Sequence, residues 1–312
     1  MTDGRTHAAA GPGGPDRFPA PLVETEVVLP RGVDDVLGGP APAPPERWLV
    51  EAPALPWTIQ GWGNGRPVLL LHGVTSSGSS WWRIAPALAA AGYTAIAPDM
   101  PGHGETPAPA SVSSSGRLPP DVVAGLVAEL VDELGLPAAE LSVAGHSWGA
   151  IVAASLPAAG LRLRRLVLLD PPVRDAAWAA EQAATLHRPA GREEALAMAL
   201  ERIPTGSVED VGVRADALLQ LDPGTARAVF RSTPWDGAVG ALAGPMGPVA
   251  AGIPTWVIRG DPRAGAYLPD DALPRLAELV GPSHLLTVAG GEHSFTRGRP
   301  RATLAALLDA IR

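Results

Sequence analysis

Five residues in the middle of the chain, Gly145-His146-Ser147-Trp148-Gly149, place a hydroxyl between the two small residues that a very tight turn requires. They follow the apolar run Leu141 to Ala144 and precede a helix-favouring stretch, so the turn would join a strand to a helix. Such a turn strains the serine backbone and pushes Ser147 Oγ outward at the amino end of the helix, where it can attack an electrophile. A serine hydroxyl is a weak nucleophile unless a base takes its proton, so the turn has meaning only if a histidine reaches it.

The chain has seven histidines. His7 lies in a Pro/Gly-rich leader, His72 and His103 lie in glycine-containing loops ahead of the serine, His146 is inside the turn, and His187 falls in a helical block. His284 opens a strand-like run and would sit at the wrong end of it. His293, in Gly290-Gly291-Glu292-His293-Ser294-Phe295, follows the last strand-like run on a loop from which a base can reach the turn. His293 is therefore the expected partner of Ser147.

Two leading strands are read at Trp48 to Val50 and Trp57 to Ile59, with glycines 61, 63 and 65 marking the turn after them. Strand-like and helical stretches then alternate: Val68 to Leu71, Trp81 to Ala91, Thr94 to Ala97, Asp121 to Leu134, Leu141 to Ala144, Ile151 to Leu156, Leu166 to Leu169. Alternation of this kind predicts parallel strands joined by crossover helices. Between residues 173 and 252 it gives way to an Ala-rich helical block, and it returns at Thr255 to Ile258 and Leu285 to Val288. The expected organisation is an N-terminal extended or flexible arm over 1–45, an α/β core over 46–172 and 253–312, and a helical cap inserted over 173–252.

Composition narrows the partners. Hydrophobic residues make up 46% of the 312, charged residues 18%, enough for a large core. A net charge of −8, with all 24 basic residues arginine and none clustered, offers no field for a nucleic-acid backbone. Without cysteine there is neither a disulfide framework nor a thiolate metal site, no other metal-ligand spacing occurs, and the glycines at 61 to 65 lack a P-loop lysine or a dinucleotide fingerprint. No metal or cofactor is expected. The start Met-Thr-Asp-Gly-Arg-Thr-His is not followed by an apolar segment, and no run of about eighteen apolar residues occurs. A cytoplasmic protein without membrane contact is the expectation.

From about Trp48 to Arg312 the chain resembles the α/β-hydrolase superfamily, in its cap-bearing, serine-nucleophile branch. Four segments carry the resemblance: Leu71-His72-Gly73-Val74, Asp99-Met100-Pro101-Gly102-His103-Gly104, the Ser147 turn and the His293 loop. It implies an α/β-hydrolase fold, a mostly parallel sheet flanked by helices, and an oxyanion hole from the N–H groups of Val74 and Trp148. It further implies that the Asp99 to Gly104 turn is structural, and that His72, Gly73 and Trp178 border the substrate pocket. Trp81 and Trp82 are expected to anchor a helix to the sheet.

For the third member of a Ser-His-acid triad this sequence departs from the family pattern. The family's acid usually stands three residues after a glycine ending the strand that follows the cap, and here that place holds Arg263. Asp261 directly follows Gly260, keeps the order serine, acid, histidine, and is the first choice. Asp170, ending the Leu166 to Leu169 run, is the rival, with Asp270 and Asp271 behind it. The implied activity is hydrolysis of an ester-like acyl compound of modest size, with lactonase, thioesterase, C–C hydrolase and non-hydrolytic biosynthetic chemistry as alternatives on the same triad, and a non-enzymatic receptor as a third class.

Overall fold

The structure, a computed structural model, describes residues 22–23, 29–30, 32–38, 46–203, 206–235 and 238–312. Nine strands run in chain order as β1 (Leu22–Val23), β2 (Glu46–Glu51), β3 (Pro56–Trp62), β4 (Arg66–Leu71), β5 (Tyr93–Pro98), β6 (Ser142–His146), β7 (Arg165–Leu169), β8 (Thr255–Arg259) and β9 (Leu285–Val288). They form one sheet in the order β1-β9-β8-β7-β6-β4-β5-β3-β2. Strands β4 to β9 are parallel to one another, and β2 and β3 add an antiparallel edge beside β5. The chain has the α/β-hydrolase fold.

The helices are α1 (Val33–Gly38), α2 (Ile84–Ala90), α3 (Ala110–Ser115), α4 (Pro120–Glu133), α5 (Trp148–Ser155), α6 (Ala176–Thr185), α7 (Arg192–Arg202), α8 (Val208–Gln220), α9 (Pro223–Ser232), α10 (Ala238–Ala243), α11 (Leu273–Val280), α12 (Phe295–Gly298) and α13 (Pro300–Ile311). Strand β4 shows how the layers arise. After the exposed Arg66, its residues from Pro67 to Leu71 are apolar without a break because both faces are covered: Leu69 and Leu71 pack with α4 and α5, Val68 and Leu70 with α2 and α13. The sheet is thus the middle of three layers, and its strand ends converge on one edge, where βα loops can carry chemistry.

All of α6 to α10 lies between β7 and β8, where the sequence predicts an insertion. Asp175 caps α6 by accepting the Trp178 N–H at 2.8 Å, and Ser207 and Asp210 form a reciprocal capping box on α8. Local capping therefore starts these helices without help from the sheet.

Two elements differ from expectation. The stretch read as one helix over Trp81 to Ala91 is a single tight turn at Gly78–Trp81 followed by α2, with Trp81 buried as an anchor. The leader is also not simply an extended arm. Leu22 and Val23 pair in parallel with Thr287 and Val288, while Leu29, Val33 and Leu37 are buried against the α2 and α13 side of the core. Val33 and Leu37, four residues apart, lie on one face of α1, a pattern that the surrounding Pro and Gly obscured. Val27 and Val28 lie outside the described residues.

Candidate active site

Ser147 stands between the end of β6 and the first turn of α5 with φ 57° and ψ −124°. Only small residues tolerate the surroundings. A Cβ on Gly145 would lie 2.2 Å from the Gly149 carbonyl oxygen, and one on Gly149 would lie 2.4 Å from that of Leu71. Gly73 approaches from the facing loop, where a Cβ on it would lie 3.0 Å from Ser147 Cβ. Among the described residues, the non-glycine positions with positive φ are Ser147 and Asp170, at 57° and 43°. Each such conformation costs about 1–3 kcal/mol and persists only where surrounding bonds impose it.

Those bonds continue the sheet beyond its strands. The Ser147 N–H donates to Leu169 O at 2.9 Å, the Asp170 N–H to Ile258 O at 2.8 Å, and the Asp261 N–H to Gly291 O at 2.7 Å. The ends of β6, β7 and β8 and the histidine loop are thereby stitched together by main chain alone.

His293 lies in the middle of this arrangement. Its Nε2 is 2.9 Å from Ser147 Oγ, and its Nδ1 is 2.6 Å from Asp170 Oδ2. These partners imply an Nδ1–H tautomer whose Nε2 is free to accept the serine proton. The Asp170 carboxylate is fully buried and also accepts the N–H groups of Tyr267 at 2.7 Å, and of Gly260 and Leu268 at 3.4 Å each. The Tyr267 ring stacks on the His293 imidazole, centroids 3.8 Å apart and planes 17° apart, which restricts its rotation.

The structure brings Asp170 to the imidazole and leaves Asp261, the first choice for the acid, apart from it. The Asp261 carboxylate turns away from His293 and binds Arg263, accepting its backbone N–H at 3.0 Å and its guanidinium at 3.2 Å. That hydrogen-bonded guanidinium holds Asp261 below the usual carboxylate range. Because Asp261 directly follows Gly260, its side chain is used in capping the short turn at Pro262–Ala264, one strand away from the imidazole. Asp270 pairs with Arg259 at 2.7 Å. His284 stacks on Trp256 at 4.1 Å beside the start of β9, far along the strand from the site.

His146 performs a task that the sequence reading did not assign. Its Nε2–H donates to the His293 carbonyl oxygen at 2.8 Å and so fixes the histidine loop. Burial, reinforced by the neighbouring His293, lowers its pKa to about 3, so this donor stays neutral. His72, expected to border the pocket, instead lies beneath it. Its Nδ1–H bonds Gly73 O at 2.8 Å and its Nε2 accepts the Met100 N–H at 2.8 Å, while burial and then His103 hold its pKa well below the ordinary value. His103 Nε2 bonds the Val74 carbonyl oxygen, and Asp99 accepts the N–H groups of Gly78 at 2.7 Å and Glu105 at 3.0 Å. The Asp99 to Gly104 turn thus orients the peptides after Gly73. Trp148, as the first residue of α5, carries one of the N–H groups that a helix leaves unsatisfied at its start.

Above the serine lies a cavity of about 560 Å³. Gly73, Val74, Ser147 and His293 form its floor, and Trp178, Met198, Leu218 and Phe230 of α6 to α9 contribute its roof. Trp178 meets Phe230, Trp235 and Tyr267 edge to face, joining the inserted helices to the residue that stacks on His293.

Comparison with known proteins decides the family. The profile of the Alpha/beta hydrolase family matches residues 68–307. The chain belongs to the α/β hydrolase family. Epoxide hydrolase 3 of Siraitia grosvenorii is 45% identical over 91 residues, which is 29% of this chain and 27% of that protein. The dihydrolipoyllysine-residue acetyltransferase component of the acetoin cleaving system of Pseudomonas putida is 38% identical over 147 residues, 47% of this chain and 36% of that one. The chain thus spans less than half the length of these relatives. Among solved structures, the thioesterase domain from the curacin biosynthetic pathway superposes with a TM-score of 0.65 at 21% identity, covering 85% of this chain and 99% of that one. At that identity the likeness speaks for the α/β-hydrolase fold alone.

Among the cavity residues that escaped the sequence reading are Tyr267, Arg214 and Arg297. For Arg214 a signal existed, since it falls on the same α8 face as Val211, Ala215 and Leu218, all buried. Tyr267 lies in an irregular segment and Arg297 in α12, a single turn of four residues, so periodicity carries no information at either.

Proposed function

We propose that the protein is a serine hydrolase acting on an ester-like acyl compound through an acyl-enzyme intermediate. The observation that carries this reading is the continuous relay from Ser147 Oγ through His293 to Asp170, at 2.9 and 2.6 Å, opening on the cavity. His293 takes the Ser147 proton as Oγ attacks the acyl carbon. Asp170 holds the Nδ1–H tautomer and stabilises the imidazolium. The N–H groups of Val74 and Trp148 receive the oxyanion, with the Val74 peptide oriented by His103. The proton then passes from His293 to the leaving group, and a water activated by the same imidazole releases the acid.

The named epoxide hydrolase relatives raise a second chemistry, which the nucleophile disfavours. Attack of a serine oxygen on an epoxide carbon would leave an ether, and water at the same site has no acyl carbon to attack. A serine at position 147 favours an acyl substrate, such as an ester, a lactone or a thioester, whose acyl-enzyme water can cleave. The test is to combine labelling by a serine-directed phosphonate with rates on p-nitrophenyl esters, lactones and acyl thioesters. Wild type is expected to be labelled once, at Ser147. Ser147→Ala is expected to lose labelling and about 10⁶-fold in kcat, because triad members act as a unit. A Ser147→Ala protein that keeps near-normal turnover of the best substrate ends the covalent mechanism.

A further inference from the structure

Two buried arginines border the same cavity without the partners such groups need. Arg214 of α8 and Arg297 of α12 are 8% and 7% exposed. Arg214 contacts Thr75, its Oγ1 at 2.9 Å and its carbonyl oxygen at 3.4 Å, and Arg297 contacts Ser76 Oγ at 3.0 Å. The Nε of each is buried with no hydrogen-bond partner, and among the described residues neither guanidinium takes part in an ion pair. Asp210, whose field reaches Arg297, has its carboxylate engaged by Arg83, the Trp82 indole N–H and the Ser207 N–H. Glu201 and Glu292 also border the cavity, Glu292 acting on Arg297.

Burial, and after it the charge of Arg297, lowers the Arg214 pKa to about 9. Two like charges held out of water beside one cavity are costly when nothing neutralises them, and a bound anion removes that cost. The guanidinium fork suits a carboxylate, which it can hold through two parallel hydrogen bonds. Thr75 and Ser76 directly follow Val74, so this positive end adjoins the loop assigned to the oxyanion, while the Trp178 and Phe230 side of the roof is apolar.

We propose that the acyl substrate carries a second, free carboxylate, remote from the carbonyl that Ser147 attacks and bound by Arg214 and Arg297. This rests on the acyl-hydrolase reading above and names its substrate class. The test compares p-nitrophenyl hemiesters of succinate, glutarate and adipate with their neutral terminal-amide counterparts, which match them in size, each rate being taken above the buffer reaction, because the free carboxylate of the shorter hemiesters attacks its own ester. For the best chain length, wild type is expected to favour the acid over the amide by about 10–100-fold in kcat/KM, and Arg214→Gln to lower that ratio at least about tenfold. A wild-type ratio of one or below, or an unchanged ratio in Arg214→Gln, overturns the proposal.

Binding is measured separately in Ser147→Ala, which needs no turnover. The free dicarboxylates are expected to raise its melting temperature and the diamides not to, with the effect lost on adding Arg297→Gln. No shift with any dicarboxylate, or an equal shift with inorganic phosphate, refutes a carboxylate site. Dicarboxylate binding without phosphonate labelling or ester turnover would leave the anion site standing and remove the hydrolase reading. Labelling and turnover without charge preference would do the reverse.

Discussion

Strands β7 and β8 are hydrogen-bonded neighbours, and an aspartate follows each, Asp170 directly and Asp261 one residue later. Their surroundings differ. Asp170 is fully buried, its backbone is at positive φ, and its two oxygens collect three N–H groups besides the imidazole. Asp261 has ordinary extended backbone, and its oxygens are taken by Arg263 at the surface. Yet the β8 end also serves the site, because the Asp261 N–H holds the Gly291 carbonyl at 2.7 Å. One strand end supplies a charge to the histidine, and the other supplies only backbone. What distinguishes them is the cradle of N–H groups around the carboxylate, since both end a core strand on the same edge of the sheet.

The largest effect expected from this difference is at Asp170→Asn. An amide would retain some backbone bonds, but facing its N–H toward His293 Nδ1 would favour the tautomer that cannot accept the Ser147 proton. A loss of about 10⁴-fold in kcat is expected, with the melting temperature far less affected. If Asp170→Asn keeps more than a tenth of wild-type kcat, Asp170 is not the orienting acid.

The pairing of Ser147 with His293 was legible in the sequence because its signals are local. Gly145 and Gly149 report a close approach, and Ser147 falls between a β-type and an α-type stretch. His293 follows the last apolar run. The acid was not legible, because Asp170 and Asp261 both end core strands and chain order admits either. Choosing between them needs the N–H groups of Gly260, Tyr267 and Leu268, which are about 90 or more residues away and have no side-chain signature. For the same reason His72 was placed in the pocket: its position beside Gly73 is evident, but not that Met100 N–H claims its free nitrogen. Val33 and Leu37 of α1 did carry a readable four-residue pattern, obscured by the prolines and glycines around it.

A second, smaller effect isolates the backbone contribution of β8. A Cβ on Gly260 would lie 2.3 Å from Gly291 O and 3.0 Å from Glu292 O, so Gly260→Ala must push the histidine loop outward. A displacement of this kind is expected to lower kcat by about 10–100-fold, since misplacement of a base by about 1 Å costs that much. Ser147 should still react with phosphonate, only more slowly. Unchanged kinetics in Gly260→Ala would mean that the loop is held by His146 and Tyr267 alone.

The ends of β6 and β8, which carry His146 and Asp261, also differ in which pH range they answer to. His146, buried and neutral, has a folded pKa of about 3 against an ordinary 6.5. Above pH 6.5 neither folded nor unfolded chain protonates it, and its contribution is fully present. As pH falls from 6.5 toward 3, the unfolded chain takes a proton that the folded chain refuses, so stability is lost. His72 and His103, also lowered by burial, act in the same sense. Asp261 is lowered from 3.8, so its contribution is present above about pH 4 and is lost only at lower pH. Between pH 6.5 and 4.5 the loss should therefore follow the histidines. His146→Gln, whose amide can still donate to His293 O, is expected to reduce the slope by up to about 1.4 kcal/mol per pH unit. A slope identical to wild type in chemical denaturation across that range would show that His146 is protonated without cost.

The smallest effect is expected at Asp261→Asn, and its smallness is informative. The amide oxygen can still accept the Arg263 backbone N–H and cap the Pro262–Ala264 turn, so only the charge facing an exposed guanidinium is lost. Water and salt screen such a pair, and its measured worth in folded proteins is slight. The Asp261 N–H to Gly291 bond belongs to the main chain and survives the substitution. Rates within about twofold of wild type and a melting temperature within about 2 °C are therefore expected, the latter insensitive to added salt. A hundredfold loss of kcat in Asp261→Asn beside a mild Asp170→Asn would reverse the assignment, requiring the histidine loop to swing from β7 to β8 during catalysis. Losses at both positions would instead show that Arg263 and its turn transmit to Gly291 and His293, making the β8 end a support whose side chain and backbone act together.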